Sequence, residues 1–220
     1  MADGLALYRL MTWLSPSYPV GAYTYSHGLE WAVEAGWVTS AATAQAWIGD
    51  VVAHGAGFSD TVFLVEAMRD DPRQVAEFAA AFVATPELAL ESHAQGQAFS
   101  RISQDTWPSP DLDRLIDCWD GPYAYPVIVG CVAKSHDLAE DDVALAYLHA
   151  FTANLVSAAI RLVPLGQTDG QRIIAALEPI VTDTVRRALT TPFEHATNTT
   201  LMTDICSMRH ETQHTRLSRS

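Results

Sequence analysis

The stretch that decides the fold is residues 142–163, DVALAYLHAFTANLVSAAIRLV. Small residues between its larger ones would let neighbouring helices approach closely. A helix that is apolar nearly all round belongs in the centre of a protein, so the stretch predicts a core helix. Its larger apolar residues recur at the three- and four-residue spacing of one helical face: Leu148, Phe151, Leu155, Ala158 and Leu162.

Helix start and stop signals recur through the rest of the chain, and strands bounded by Asn-Gly or Asp-Gly turns are not apparent. Asp71-Pro72 and Thr85-Pro86 each predict an N-cap followed by proline at the first helical position, and Gly55-Ala56-Gly57 predicts a break. With 220 residues, 49% of them hydrophobic, the chain can bury one substantial core. The prediction is an all-α fold: one compact domain, residues 1–204, and a flexible C-terminal tail, residues 205–220.

Charge is unevenly distributed along the chain. There are 26 acidic against 13 basic residues, for a net charge of −13, which disfavours binding to nucleic acid or to an anionic membrane. From residue 207 onward three arginines face one glutamate, so this end carries +2 and leaves −15 for the rest. A basic tail on an acidic body predicts a contact surface for another protein.

Three cysteines, Cys118, Cys131 and Cys206, form no CxxC pair, which disfavours both a disulfide framework and a closed zinc site. The N-terminal residues lack the basic region of a signal peptide, and no run of eighteen apolar residues predicts a membrane span. The expected location is the cytoplasm.

Sequence motifs for catalysis are missing. The Lys134-Ser135 pair lacks the glycines of a phosphate-binding loop, and no GxSxG, HExxH or GxGxxG motif occurs. We therefore expect a protein that is not an enzyme, has no catalytic residue and binds no cofactor of its own.

Histidine is the one residue type that suggests metal chemistry. On a continuous helix, Cys206, His210 and His214 would share one face and offer ligands for nickel or zinc, although a polar tail without metal explains the same spacing better. His149 in the apolar stretch fits a hydrogen-bonded core histidine, whereas His27 either lines a pocket or fixes a turn. Tyr18, Tyr23 and Tyr25 fit core packing or an interface.

Three long motifs together resemble the urease accessory protein UreF family, in order along nearly the whole chain. They are LSPSYPVGAYTYSHGLE at residues 14–30, VSAAIRLVPLGQTDGQ at 156–171, and SMRHETQHTRL at 207–217.

The resemblance implies an all-α homodimer that binds a UreD-type (also called UreH-type) accessory protein, a UreG-type GTPase and apo-urease. In that role the chain would act as a chaperone for nickel insertion and would handle nickel only transiently. GTP would be bound by the UreG-type partner, and the chain would regulate the hydrolysis of that GTP. The alternative is a histidine-using nickel carrier or a helical metalloenzyme.

Partner-binding residues follow from the three motifs. One surface is expected in the loop and the helix after it, and another in the tail that orders on the UreD-type partner. For the middle motif, a conformational or interface role competes with a purely structural one. The expected residues are Pro19, Gly21, Tyr25, Ser26, His27, Gly28 and Glu30; Arg161, Gln167 and Gly170; and Ser207, Met208, Arg209, His210, Glu211 and Arg216. Tyr125 and Cys206 depart from the residues usual in the family.

Overall fold

The computed structural model describes residues 4–69 and 71–219, which form eleven α-helices and no strand. The all-α prediction is confirmed. Short 3₁₀ turns lie at Ala22–Thr24 and Phe193–His195. The helices are α1 Gly4–Trp13, α2 Leu29–Glu34, α3 Ala41–His54, α4 Ala56–Arg69, α5 Pro72–Phe82, α6 Pro86–Thr106, α7 Pro110–Cys118, α8 Tyr125–Ser135, α9 Glu140–Leu162, α10 Gln167–Ala188 and α11 Leu201–His210.

Side-chain caps start several of these helices where the sequence predicts them. The Asp71 carboxylate accepts a hydrogen bond from the Arg73 N–H, and the Thr85 hydroxyl accepts one from the Leu88 N–H. A proline follows each cap, at a position whose missing N–H leaves no helical bond unmade. Gly55 separates α3 from α4, so the predicted break is also confirmed.

The most completely buried helices are α4 and α8, which pack against each other at the centre. A Cβ atom on Gly130 of α8 would lie 2.5 Å from the carbonyl oxygen of Leu64 on α4, so only glycine allows this close crossing. The core is therefore built around two short helices that are surrounded by neighbours, with α9 packed against α4.

Helix α9 is a core helix with one face buried, as Leu148, Leu155 and Ala158 show. Its other face borders a cavity and solvent, which is why His149 is exposed and not a core histidine. By length and composition α9 is apolar enough to cross a membrane, but half of that apolar window is buried inside the protein. This burial is what the core helix of a folded domain shows.

Helix α11 lies on the body of the protein, against α2 and α6. The boundary expected between residues 204 and 205 therefore falls inside a helix, because buried side chains of α11 on both sides of it face the same neighbours. Residues 211–219 follow as turns that also contact the body. That this segment orders only on partner binding stays a prediction.

Candidate functional site

The first motif forms a loop whose backbone bends sharply before α2. Gly21 (φ 76°), His27 (φ 56°) and Gly28 (φ 76°) have left-handed backbone conformations. Such a conformation is strained for histidine, so the surrounding contacts must hold His27 in place. The loop thereby directs Ser26, His27, Gly28 and Glu30 inward, and all four are buried.

Gly28 is the point where this loop meets α11. A Cβ atom there would lie 3.1 Å from both the Ser207 nitrogen and the Thr203 oxygen, and 3.2 Å from the Cys206 Cβ. On the same side of α11, the hydroxyl groups of Ser207 and Thr85 form a hydrogen bond of 2.7 Å. The first and third motifs, expected as two surfaces, thus form one packed junction.

A buried carboxylate–imidazole cluster lies at the end of this junction. His210 is completely buried, with Nδ1 2.8 Å from Glu87 Oε2 and Nε2 3.4 Å from Glu30 Oε2. Both ring nitrogens face carboxylate oxygens, so the imidazole contacts both glutamates. His210 therefore holds α11 to α2 and α6 at once.

Glu30 also fastens the chain beyond α11. Its carboxylate accepts hydrogen bonds of 2.7 Å from the backbone N–H groups of Leu217 and Ser218, while Arg216 donates to Glu87 at 2.8 Å. Burial raises the pKa of Glu30, but these donors and the nearby His210 outweigh it and hold the pKa below the usual range. A single glutamate in the first turn of α2 thus holds Leu217 and Ser218 against the body.

A second buried cluster lies beside the first, around His27. Its Nδ1 is 3.4 Å from Glu91 Oε2, and the Tyr147 hydroxyl donates to Asp60 Oδ2 at 3.0 Å. Burial lowers the pKa of His27, but the charges of Glu91, Asp60 and Asp204 raise it overall. Burial raises the pKa of Asp60 to about 7, although Tyr147 and His27 act in the opposite direction. His27, Asp60, Glu91 and Tyr147 line a cavity of about 240 Å³.

The middle motif is only partly connected to this junction. Arg161 donates to the Tyr23 carbonyl at 2.8 Å, and its guanidinium lies 3.6 Å from the centre of the Tyr23 ring. Gly170 instead lets α10 approach α9, since a Cβ there would overlap Ile160. Gln167 is exposed in the first turn of α10. Arg161 therefore supports the loop, while Gly170 has a packing role.

The outward side of α11 is apolar. Leu201, Met202 and Met208 are 65%, 44% and 48% exposed, and Ile205 on the same face is half-buried. This is the reverse of the usual arrangement, in which a surface helix turns its apolar side inward. Exposed apolar side chains on one helix face are typical of a protein-binding surface.

The tyrosines of the first motif and the other expected site residues differ in whether they are buried or exposed to solvent. Tyr25 and Tyr18 are buried, which favours packing, and Tyr23 is exposed. Those that face solvent are Pro19, Gly21, Arg209 and Glu211. Solvent-facing side chains remain candidates for partner contact.

The less favoured alternative, a metal-binding face of Cys206, His210 and His214, is not formed in the described residues. Helix α11 ends at His210, so His214 leaves the helical register and is exposed, while Cys206 and His210 are buried on the inner side. In residues 4–69 and 71–219 no group of three or more His, Cys, Asp or Glu side chains is placed to hold a metal ion.

Sequence reasoning missed the groups that complete both clusters. Glu87 and Glu91 lie one turn apart on α6, and Asp60 and Tyr147 come from α4 and α9. The i, i+4 spacing of the two glutamates after the Thr85 cap was the available signal. For Asp60 and Tyr147 nothing in the local sequence separates them from other surface acids and core aromatics.

Comparison with known proteins gives one consistent result. The UreF family profile matches residues 38–178. The chain is 50% identical to the urease accessory protein UreF of Bradyrhizobium sp. (strain BTAi1 / ATCC BAA-1182), covering 99% of this chain and 93% of that protein. It is 51% identical to the protein of the same name from Rhodopseudomonas palustris (strain HaA2), covering 99% and 95%. The alignments with these relatives extend over nearly the whole chain, beyond the profile match.

Proposed function

The chain belongs to the UreF family of urease accessory proteins, with a role in urease maturation, and from that premise we propose that it is a non-catalytic scaffold for nickel insertion. In this role it joins a UreD/UreH-type accessory protein to a UreG-type GTPase and regulates GTP hydrolysis by the latter, for delivery of nickel to apo-urease. Nickel is cargo, and GTP is bound by the partner.

The observation that carries this proposal is the orientation of α11, which turns its apolar side chains outward and its polar ones inward. Its polar and small side chains, Ser207 and His210 among them, are used to fix the helix on the body. This leaves Met202 and Met208 facing outward, with exposed Arg209 beside them. The two methionines could pack against an apolar patch on a partner protein, and the Arg209 guanidinium could bind a carboxylate at the edge of that patch.

We assign this outward face of α11, defined by Leu201, Met202, Ile205 and Met208, to the UreD/UreH-type partner. Arg216 is less available to that partner than the sequence suggests, because it already donates to Glu87. The proposed homodimer would need a second apolar surface. Helix α1 offers one, since its side chains Leu7, Tyr8 and Met11 are exposed.

Reconstitution tests the function. Apo-urease, the UreD/UreH-type protein, the UreG-type GTPase, GTP and nickel are combined with or without this chain, and urease activity and GTP hydrolysis are followed. We expect activation only when the chain is present, together with a changed rate of GTP hydrolysis. Full activation without it would contradict the proposal. Nickel bound stoichiometrically to the isolated chain would favour the carrier alternative.

A further inference from the structure

The cavity around His27 has the chemistry of a ligand site. It holds about 240 Å³ and is lined on several sides by aromatic rings, including those of Tyr18, Tyr125 and Phe151. Two ring contacts support the walls: Tyr125 lies 5.6 Å from Tyr147 in a tilted arrangement, and Phe151 meets His27 edge to face at 5.5 Å, measured between ring centres. The walls of the cavity are therefore mainly apolar. Its polar part is formed by His27, Asp60 and Glu91.

Negative charge predominates in that polar group. Asp60 and Glu91 both line the cavity, whereas its described lining contains no lysine or arginine. His27 is paired with Glu91, with Nδ1 3.4 Å from Oε2, and the charge of nearby Asp204 also acts on His27. With these three carboxylates ionised and His27 protonated, negative charges outnumber positive ones by two.

The Asp60 carboxylate lines the cavity. Its Oδ2 accepts a hydrogen bond of 3.0 Å from the Tyr147 hydroxyl, one of the roughly four that a carboxylate can accept. The side chain retains some accessible surface although protein surrounds it, and the cavity is where that surface lies.

We propose that this cavity binds a positively charged nitrogen group on a short apolar stem, an alkylguanidinium or alkylammonium, with Asp60 and Glu91 as its counter-charges. The stem would lie against the aromatic walls, where cation–π contact with Tyr147 or Tyr125 adds to the attraction. A divalent metal ion fits less well, since no three metal-ligating side chains are placed together in the described residues.

Protonation of Asp60 opposes binding. Its pKa is raised to about 7 by burial, against the effects of Tyr147 and His27, and Glu91 adds to the increase. Below pH 7 the carboxyl is mostly neutral and attracts a cation weakly, whereas above pH 7 it is ionised. Affinity should therefore fall about tenfold between pH 8 and pH 6, and binding near pH 7 should release protons.

Titration of the isolated full chain tests the proposal without depending on the proposed function. Calorimetry or NMR follows n-butylguanidinium and n-butylammonium, with neutral N-butylurea as the matched ligand. We expect saturable binding with Kd on the order of 1 mM for the cations, and at least tenfold weaker binding of N-butylurea. Asp60→Asn and Glu91→Gln should weaken cation binding at least tenfold, and Asp50→Asn, an exposed acid on α3, should not.

The pH series on the unaltered chain provides a second test should Asp60→Asn fail to fold. Equal binding of N-butylurea, absence of saturable binding, or affinity that does not change between pH 6 and pH 8 would overturn the proposal. Repeating the titration on the complex with the accessory partner then identifies the source of the cation. Loss of probe binding in the complex points to a partner's arginine or lysine side chain, and retained binding points to a free amine or guanidine.

Discussion

At the scale of single residues, three positions explain why α11 packs where it does on the body of the protein. Gly28 allows α11 to approach, while Glu30 and His210 fix it there. The sequence motifs identify all three as functional, but as exposed partner contacts. Their burial could not be predicted, because it depends on Glu87 of a different helix, 123 residues from His210.

Gly28→Ala should lower the free energy of unfolding more than Gly36→Ala. Both glycines have φ near +77° and share the strain cost of about 1–2 kcal/mol for an alanine. Only at Gly28 does the new Cβ also crowd α11, whereas at Gly36 it meets open space. Urea unfolding of the two variants measures the difference, and equal losses would show that the contact with α11 is unimportant.

Glu30→Gln should destabilise the protein at pH 7 and matter less in acid. The Glu30 pKa is depressed in the folded state, so its contribution is present above the ordinary value of 4.5 and is lost as pH falls through the folded pKa. Loss of the charge-assisted hydrogen bonds to Leu217 and Ser218 should cost about 1–3 kcal/mol at pH 7. Urea unfolding between pH 3 and pH 7 should show this gap narrowing, and the exposed Glu178→Gln serves as control. A gap independent of pH would contradict the role assigned to Glu30.

At the scale of elements, helix ends were predictable and helix orientations were not. The caps at Asp71 and Thr85 and the glycine break at residue 55 are local signals, so they fix the ends of α3 to α6 closely. The orientation of α11 follows from hydrogen bonds to α2 and α6, which are distant in sequence. The apolar composition of α9 correctly predicts a core helix, but it does not show that α4 and α8 are more fully enclosed, because that depends on how the helices pack.

The two faces of α11 should respond differently to substitution. Met202→Ser and Met208→Ser change exposed side chains and should alter the free energy of unfolding by no more than about 0.5 kcal/mol. Cys206→Asp places a charge at a completely buried position and should cost several times as much. Thermal unfolding of the three variants distinguishes the faces. If all three substitutions lowered stability by similar amounts, the assignment of Met202 and Met208 to the outward face and of Cys206 to the inward face would be wrong.

At the scale of the whole molecule, the basic C-terminal segment lies on an acidic body. The charge pattern predicted that this segment binds acidic groups, and in the structure Glu30 and Glu87 of the same chain supply them. Sequence charge could not distinguish an internal from an external partner. The family assignment rests on motifs spread over the chain, and the matches to relatives cover 99% of it.

The most direct test of the account is complex formation with the UreD/UreH-type accessory protein when the outward face of α11 is changed. Met202→Glu with Met208→Glu is compared with Leu145→Glu, an equally exposed apolar position on α9. Affinity is measured by calorimetry after circular dichroism has shown that each variant is folded. The account predicts at least a hundredfold weaker binding for the α11 variant and unchanged binding for Leu145→Glu. Unchanged binding of the α11 variant would contradict it.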